Sequence, residues 1–168
     1  RVGFVGERGY EIHVPADHAL RVWERLFEAG SEAGIVPFGV EAQRVLRLEK
    51  GHVIVGQDTD GLTNPFEAGL EWIVKADKPF FVGQRSLEAL RRRGNRQQLV
   101  GVEFDSADAP VLECHLVIDG EDIAGRVTSL AHSDALGGPR IGLAFVKPSL
   151  AATGTRLCGA RGAHLRTL

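Results

Sequence analysis

The stretch C-H-L-V-I-D-G-E-D-I-A-G-R-V-T-S-L, residues 114–130, contains two short strand patterns joined by a tight turn. Cys114 to Ile118 and Ile123 to Leu130 are rich in aliphatic and β-branched residues, and Asp119-Gly120 between them is typical of a hairpin turn. Similar short patterns flank this pair at Leu99 to Phe104, Ile141 to Val146 and Thr155 to Cys158. Several short strands need their edges closed or covered, so this region is predicted to form a small antiparallel β-barrel or sandwich.

Upstream of this region the apolar residues follow a helical period. A first helix is predicted between the capping residue Asp17 and Gly30, and a second from about Val40 to Glu49 with Leu48 turned inward. A third, short helix ends at an arginine run before Gly94. These helices contrast with the strand-only pattern that follows.

Three short strands are also predicted upstream. Val2 to Val5 and Tyr10 to Val14 flank the turn sequence Gly6-Glu7-Arg8-Gly9, so we expect a hairpin on which the first helix packs. Alternation in the second strand places Tyr10 on the core face and Glu11 on the other. Trp72-Ile73-Val74 reads as the third strand.

The predicted fold class is therefore α+β, with an α/β portion followed by a small antiparallel β-barrel. The pattern divides the chain into a first domain at residues 1–94 and a second at residues 99–168. The chain opens directly in a strand-like pattern at Arg1 rather than at a methionine, so we expect it to be an excised fragment, incomplete at its amino terminus.

Composition excludes several classes of protein. The 168 residues are 43% hydrophobic and 25% charged, which is ordinary for a globular protein. A formal net charge of -2 offers no basic field for nucleic acid, and no apolar stretch is long enough to span a bilayer. We expect no nucleic-acid or membrane partner, and a cytoplasmic location. Cys114 and Cys158 lack zinc-ligand spacing and are interpreted as buried thiols.

The sequence lacks the G-x-x-x-x-G-K-[S/T] phosphate loop, the G-x-S-x-G nucleophile turn and the His-Glu-x-x-His zinc motif. No metal site is predicted. Asp58-Thr59-Asp60-Gly61 resembles a calcium loop only superficially, because its glycine comes too early and Gly69 stands at the closing-glutamate position. The six histidines show no ligand-like clustering and are taken as surface or satisfied residues.

Glu11 and two arginines are the candidates for ligand binding. A carboxylate on the non-core face of a strand could accept two parallel hydrogen bonds from a flat heterocycle, although the pattern alone favours plain solvent exposure for Glu11. Arg44 and Arg47, three residues apart, could bind a carboxylate tail. The alternative is that each pairs with Glu41 or Glu49 on the same helix.

An ordered set of segments carries a resemblance that covers nearly the whole chain. They are G-E-R-G-Y-E-I-H-V-P at 6–15, L-R-L-E-K-G at 46–51, G-Q-D-T-D-G-L-T-N-P at 56–65, E-A-G-L-E-W-I-V-K at 67–75, F-V-G-Q-R-S-L at 81–87, G-R-V-T-S at 125–129 and I-G-L-A-F-V at 141–146. Together they resemble the glycine cleavage T-protein (aminomethyltransferase) superfamily. The last two segments resemble that family's terminal barrel.

The chain departs from standard T-proteins at two places. Ala42-Gln43-Arg44 stands where T-proteins usually carry Ala-Arg-Asp, and the stretch 40–60 is more similar to the folate domain of the sarcosine oxidase α subunit. Residues 159–164 match the family poorly, so we expect the final barrel strand to be shortened or altered.

The resemblance implies a tetrahydrofolate site in which Glu11 holds the pterin through its amino group and ring N–H. Tyr10 would help form the pocket, although alternation points it to the core. Arg47 would either meet the glutamate tail of folate or anchor its helix, and Trp72 would line the pterin pocket or belong to the core. No catalytic residue is assigned, because the family's supporting aspartate lies upstream and no acidic residue here matches its motif.

The activity implied is transfer of a one-carbon unit from an amine to tetrahydrofolate, giving methylene-tetrahydrofolate. The expected partners are folate, a small amine substrate, the remainder of the polypeptide, and flavoprotein subunits or a lipoyl carrier protein. These residues alone are predicted to be inactive. The alternatives are a non-catalytic folate-sensing or subunit-docking module and a folate-dependent demethylase of the same superfamily.

Overall fold

The computed structural model describes residues 3–168, so Arg1 and Val2, with the start of the predicted first strand, lie outside the described residues. Three helices come first along the chain and six strands follow. They are α1 Ala19–Gly30, α2 Val40–Glu49, α3 Gln84–Arg93, β1 Gln98–Phe104, β2 Leu116–Asp119, β3 Asp122–His132, β4 Arg140–Val146, β5 Arg156–Gly159 and β6 His164–Thr167.

The six strands close into an antiparallel barrel in the order β1-β4-β3-β2-β5-β6. Closure comes from β6, which pairs with β1 from Val102↔Thr167 to Phe104↔Leu165. Inward-facing residues such as Val102, Val127 and Leu165 are buried together and form the main core. The predicted class, α+β with a small antiparallel barrel, is confirmed, and closure leaves the barrel no free sheet edge.

The hairpin formed by β2 and β3 has the turn that its sequence predicts. Asp119 of β2 pairs with Asp122 of β3, so only Gly120 and Glu121 form the loop. Gly120 has φ +63°, a conformation that glycine adopts without strain. The predicted tight turn at Asp119-Gly120 is confirmed.

The last strand, β6, is not among the predicted strands. It is only four residues long, but Leu165 and Thr167 alternate inward and are both buried. The final strand of the barrel is therefore short yet complete enough to pair with both neighbours, β5 and β1.

All three predicted helices are present, and α2 has the predicted bounds. Its Leu48 packs with Ile141 and Leu143 of β4 in a small second core, which seats the helix on the outside of the barrel. No helix in residues 3–168 has both the length and the apolar character needed to cross a membrane.

The predicted amino-terminal hairpin is wrong for the residues that the structure describes. No strand forms in residues 3–14, and Tyr10, Ile12 and Val14 are exposed rather than turned to a core. An isolated two-stranded hairpin is marginal in water unless another layer covers its apolar face. No residue of α1 is buried either, so the predicted packing of this helix on the hairpin is also wrong.

The predicted strand at Trp72-Ile73-Val74 is likewise wrong. Glu71–Ile73 forms a single turn of 3-10 helix instead. The preceding segment is a series of turns, in which the Asn64 side chain accepts hydrogen bonds from the backbone N–H groups of Phe66 and Glu67. These local hydrogen bonds compete with an extended conformation, and Trp72 ends on the surface.

Candidate functional site

The four predicted folate-binding residues lie on three separate segments. Tyr10 and Glu11 lie on an extended segment before α1, Arg47 lies on α2, and Trp72 lies on the short turn Glu71–Ile73. Within residues 3–168 no hydrogen bond or ion pair joins any two of these four side chains. The structure thus brings no two of them into polar contact.

Glu11 and Tyr10 both project into solvent. The Glu11 side chain is 67% exposed, and its Oε2 lies 3.5 Å from Nε2 of His13, which is also exposed. Alternation along the extended segment explains this contact, since residues 11 and 13 face the same side. Tyr10 is 68% exposed although its predicted direction was towards a core. A carboxylate with one weak exposed partner is free to accept hydrogen bonds from a ligand.

Trp72 is 73% exposed. Its neighbour Glu71 forms an ion pair with Arg91 of α3, and the guanidinium of Arg91 lies over the Phe66 ring at 5.0 Å. This cluster holds the turn in place and leaves the indole outside. The alternative of a core tryptophan is not what the structure shows.

Arg47 is only 2% exposed and lies in a buried polar cluster. Its Nη1 donates to Oδ2 of Asp58 at 2.6 Å and to the carbonyl of His52 at 2.9 Å, and its Nη2 donates to Oγ of Ser129 at 2.7 Å. The guanidinium therefore faces the barrel. Of the two roles that the sequence left open, these contacts fit the anchor of the helix.

Asp58 completes this cluster and is fully buried. Oδ2 accepts hydrogen bonds from Arg47 and from the backbone N–H of Ile54 at 2.7 Å. Oδ1 accepts hydrogen bonds from the hydroxyls of Thr128, at 2.6 Å, and Ser129. Both carboxylate oxygens are occupied by donors, as burial of a charge requires.

A β-bulge in β3 allows two consecutive hydroxyls to reach one carboxylate oxygen. Side chains of a regular strand alternate between faces, so Thr128 and Ser129 would point in opposite directions. The pairing of β3 with β4 shifts register between Val127 and Ser129. This extra residue reorients the backbone and aims both hydroxyls at Asp58.

A second polar layer covers the cluster at the surface. The amide of Gln57 donates to Glu113 at 2.8 Å and to Ser129 at 3.2 Å. Arg44 lies 3.7 Å from Glu41 and 3.5 Å from Glu113. The predicted pairing of Arg44 with Glu41 is confirmed, whereas Arg47 pairs with Asp58 rather than with a glutamate of its own helix.

The next acidic residue, Asp60, serves the turn rather than a ligand. Its Oδ1 accepts hydrogen bonds from the N–H groups of Leu62 and Thr63 and from the Thr63 hydroxyl. The hydroxyl bond, and then the Leu62 amide, hold the pKa of Asp60 below its usual value. Asp58 and Asp60, which suggested a calcium loop, thus have separate structural partners.

The segment at 4–7 is tethered to the end of α2. The Phe4 carbonyl lies 2.9 Å from Nδ1 of His52, and Glu7 forms an ion pair with Lys50 at 2.9 Å. The hydrogen bond and charge of Lys50 lower the pKa of Glu7, and Glu7 in turn raises the pKa of Lys50. These contacts place the start of the Glu11 segment beside α2.

Sequence reasoning missed the buried cluster, although each member lies in a segment that carried the resemblance. Arg47 belongs to L-R-L-E-K-G, Asp58 to G-Q-D-T-D-G, and Thr128 and Ser129 to G-R-V-T-S. An arginine directly beside the inward-facing Leu48 was the available signal. A charge next to the packed face of a helix needs a buried partner.

Comparison with known proteins gives two family matches and several relatives. Residues 1–78 match the family described as GCVT N-terminal domain, and residues 97–162 match the glycine cleavage T-protein C-terminal barrel domain. The chain is 40% identical over 154 residues to an aminomethyltransferase of Halothermothrix orenii, covering 92% of this chain and 43% of that protein. It is 45% identical over 156 residues to a sarcosine oxidase subunit alpha of Corynebacterium sp. strain P-1, covering 88% of this chain and 16% of that subunit.

A solved structure shares the fold. The glycine cleavage system aminomethyltransferase T from Bartonella henselae superposes with a TM-score of 0.81 at 25% sequence identity, covering 92% of this chain and 43% of that one. The chain therefore spans less than half the length of each of these relatives.

Proposed function

Because the chain belongs to the glycine cleavage T-protein family, we propose that it forms one wall of a tetrahydrofolate site in a protein that transfers a one-carbon unit from an amine to tetrahydrofolate. The relatives named aminomethyltransferase and sarcosine oxidase subunit alpha support this activity. The product would be methylene-tetrahydrofolate. The chemistry that tetrahydrofolate supplies is a pair of nucleophilic nitrogens that accept the one-carbon unit.

The observation that carries the proposal is the free carboxylate of Glu11. Its side chain is 67% exposed and has only the exposed His13 as an ionic partner in the described residues. The amino group and ring N–H of a pterin present two parallel donors, which match the two oxygens of a carboxylate. Arg47 has the opposite character, since its donors are directed into the protein. We therefore assign pterin binding to Glu11 and helix anchoring to Arg47.

Tyr10 and Trp72 complete the proposed wall. Both rings are largely exposed, and neither is enclosed by the described residues. Aromatic faces of this kind stack on flat heterocycles such as a pterin. Their part would be to orient the ring and exclude water, while no side chain of this chain is assigned a catalytic role.

Glu11→Ala in the full-length protein tests the proposal. Loss of two charge-assisted hydrogen bonds is expected to weaken tetrahydrofolate binding by about 3 kcal/mol, roughly a hundredfold in Kd by anaerobic calorimetry. Glu24→Ala, which removes an exposed glutamate of α1, is the matched control and is expected to leave Kd unchanged. Unchanged binding and folate-dependent turnover in Glu11→Ala would refute the pterin assignment. That result would favour a subunit-docking role for these residues, with the folate site elsewhere in the full-length protein.

A chain limited to these 168 residues is proposed to be inactive. The supporting observation is that they match less than half of each relative, and no acidic side chain among them is assigned to catalysis. Turnover by these residues alone would contradict this part of the proposal.

The sarcosine oxidase relative favours an amine oxidised by flavin as the donor. Its 45% identity, with Gln43-Arg44 in place of the usual Arg-Asp, supports the branch in which sarcosine yields an imine that folate captures. Supplying either sarcosine or an aminomethyl-lipoyl carrier to the full-length protein separates the donors. Methylene-tetrahydrofolate formed only with the lipoyl carrier would contradict the sarcosine branch.

A further inference from the structure

His52 occupies a fixed position at the end of α2. Its backbone N–H donates to the Arg47 carbonyl at 2.8 Å, and its own carbonyl accepts from Nη1 of Arg47 at 2.9 Å. Arg47 is held in turn by Asp58 and Ser129 inside the buried cluster. The backbone of His52 is therefore fixed on both sides by a residue anchored to the barrel.

The His52 ring extends this anchorage to the Glu11 segment. Nδ1 lies 2.9 Å from the carbonyl oxygen of Phe4. Because a carbonyl oxygen only accepts hydrogen bonds, Nδ1 must carry the proton and donate. This bond joins residue 52 to a segment that is distant in sequence and that leads, seven residues on, to Glu11.

A second contact also holds the segment at 4–7 against the end of α2, but it depends on an exposed ion pair. Gly6 has φ +80° and lies so close to the Lys50 side chain that an added Cβ would collide with it, while Glu7 pairs with Lys50. Both charged groups of that ion pair are about half exposed or more, so solvent and salt screen it. The hydrogen bond between His52 and Phe4 is exposed as well. It differs from the ion pair in starting from a residue whose backbone is held by the buried Arg47.

We propose that His52 is a positioning residue, which holds the segment carrying Glu11 at a fixed place relative to the barrel-anchored helix. This inference rests on the proposed function, because it gives His52 an effect on folate through Glu11. A carboxylate held in place loses less conformational freedom when a ligand binds, so the tether raises affinity without touching the ligand.

The test uses His52→Ala in the full-length protein, with tetrahydrofolate kept anaerobic. The expected result is a rise in the folate KM and Kd of about fivefold, with kcat and melting temperature unchanged. His52→Asn is expected to recover most of the affinity, because its side-chain amide can donate to the Phe4 carbonyl. His18→Ala, at an exposed histidine before α1, is the matched control and should change neither constant.

A double-mutant cycle with Glu11→Ala decides whether His52 acts through Glu11. We expect His52→Ala to add no further loss once Glu11 is replaced. Independent, additive effects would overturn the inference, as would a lower kcat with an unchanged KM, or failure of His52→Asn to recover affinity. If Glu11→Ala weakens folate binding and His52→Ala does not, only this inference fails. If Glu11→Ala has no effect, the pterin assignment fails, and the role of His52 fails with it.

Discussion

The barrel and the region before it bury apolar side chains to very different extents. All buried apolar residues in the described chain except Leu48 and Ala68 lie between Val102 and Leu165. Most of the large apolar side chains that remain exposed lie before residue 83, among them Trp23, Phe38 and Trp72. The barrel thus contains its own core, whereas the upstream region presents an open apolar surface.

This difference shows which region is stabilised by internal packing and which presents groups for other contacts. Exposed apolar surface on this scale is typical of an interaction or ligand-binding surface. The predicted pterin ligand Glu11 lies in the open region, and the cluster of Arg47 and Asp58 lies between the two regions. Matched substitutions in the two regions test this difference.

The largest expected effect comes from placing a charge in the barrel core. Val127 is fully buried, and Val127→Asp leaves an unpaired carboxylate among apolar side chains. We expect a loss of about 4 kcal/mol or more in the free energy of unfolding, enough to unfold a barrel of ordinary stability. Val36→Asp is the matched change in the open region, where Val36 is 72% exposed, and should cost less than about 0.5 kcal/mol. Thermal unfolding followed by circular dichroism measures the stability of both variants. Equal losses would show that the barrel and the upstream region do not differ in internal packing.

The second-largest effect is expected at the ion pair of Arg47 and Asp58, which lies between the barrel and the upstream region. Asp58→Ala leaves the Arg47 guanidinium buried without its carboxylate, which should cost about 3–5 kcal/mol in urea unfolding. Adding Arg47→Met removes the unpaired charge and is expected to recover at least half of the loss. Asp77→Ala, at an exposed aspartate, is the control. A double variant no more stable than Asp58→Ala alone would show that the ion pair does not account for the effect.

The smallest expected effect is a pH response of the tether at Glu7 and Lys50. The folded pKa of Glu7 is below its ordinary 4.5, so the contact is fully present above pH 4.5 and is lost as pH falls through the lowered value. The pKa of Lys50 is above its ordinary 10.5, so at the alkaline end the contact persists until pH rises through that raised value. The backbone amide of Gly6, followed by NMR, should therefore shift in acid. The same acid response in Glu7→Gln would exclude Glu7 as its cause.

The sequence predicted those elements whose signals are local. The bounds of α2 and the turn at Asp119-Gly120 follow from helical spacing and turn chemistry over a few residues. The predicted amino-terminal hairpin is wrong over the described residues 3–14, because strand patterns there require a covering layer that the described residues do not supply. The local apolar pattern of a strand does not show whether another layer of the protein covers its apolar face.

The site was predicted less completely than the fold. Glu11 could be selected because its position in a motif is visible in the sequence. The pairing of Arg47 with Asp58 and Ser129 could not, because it joins residues 11 and 82 positions apart. It also depends on a bulge in β3, which strand alternation does not predict.

Hydrogen exchange of the full-length protein, with and without tetrahydrofolate, tests whether the segment that carries Glu11 binds folate. We expect folate to slow exchange in the segment around Glu11, residues 10–14, and to leave exchange in the barrel strands unchanged. Folate-induced protection confined to the barrel, with no change around Glu11, would contradict it.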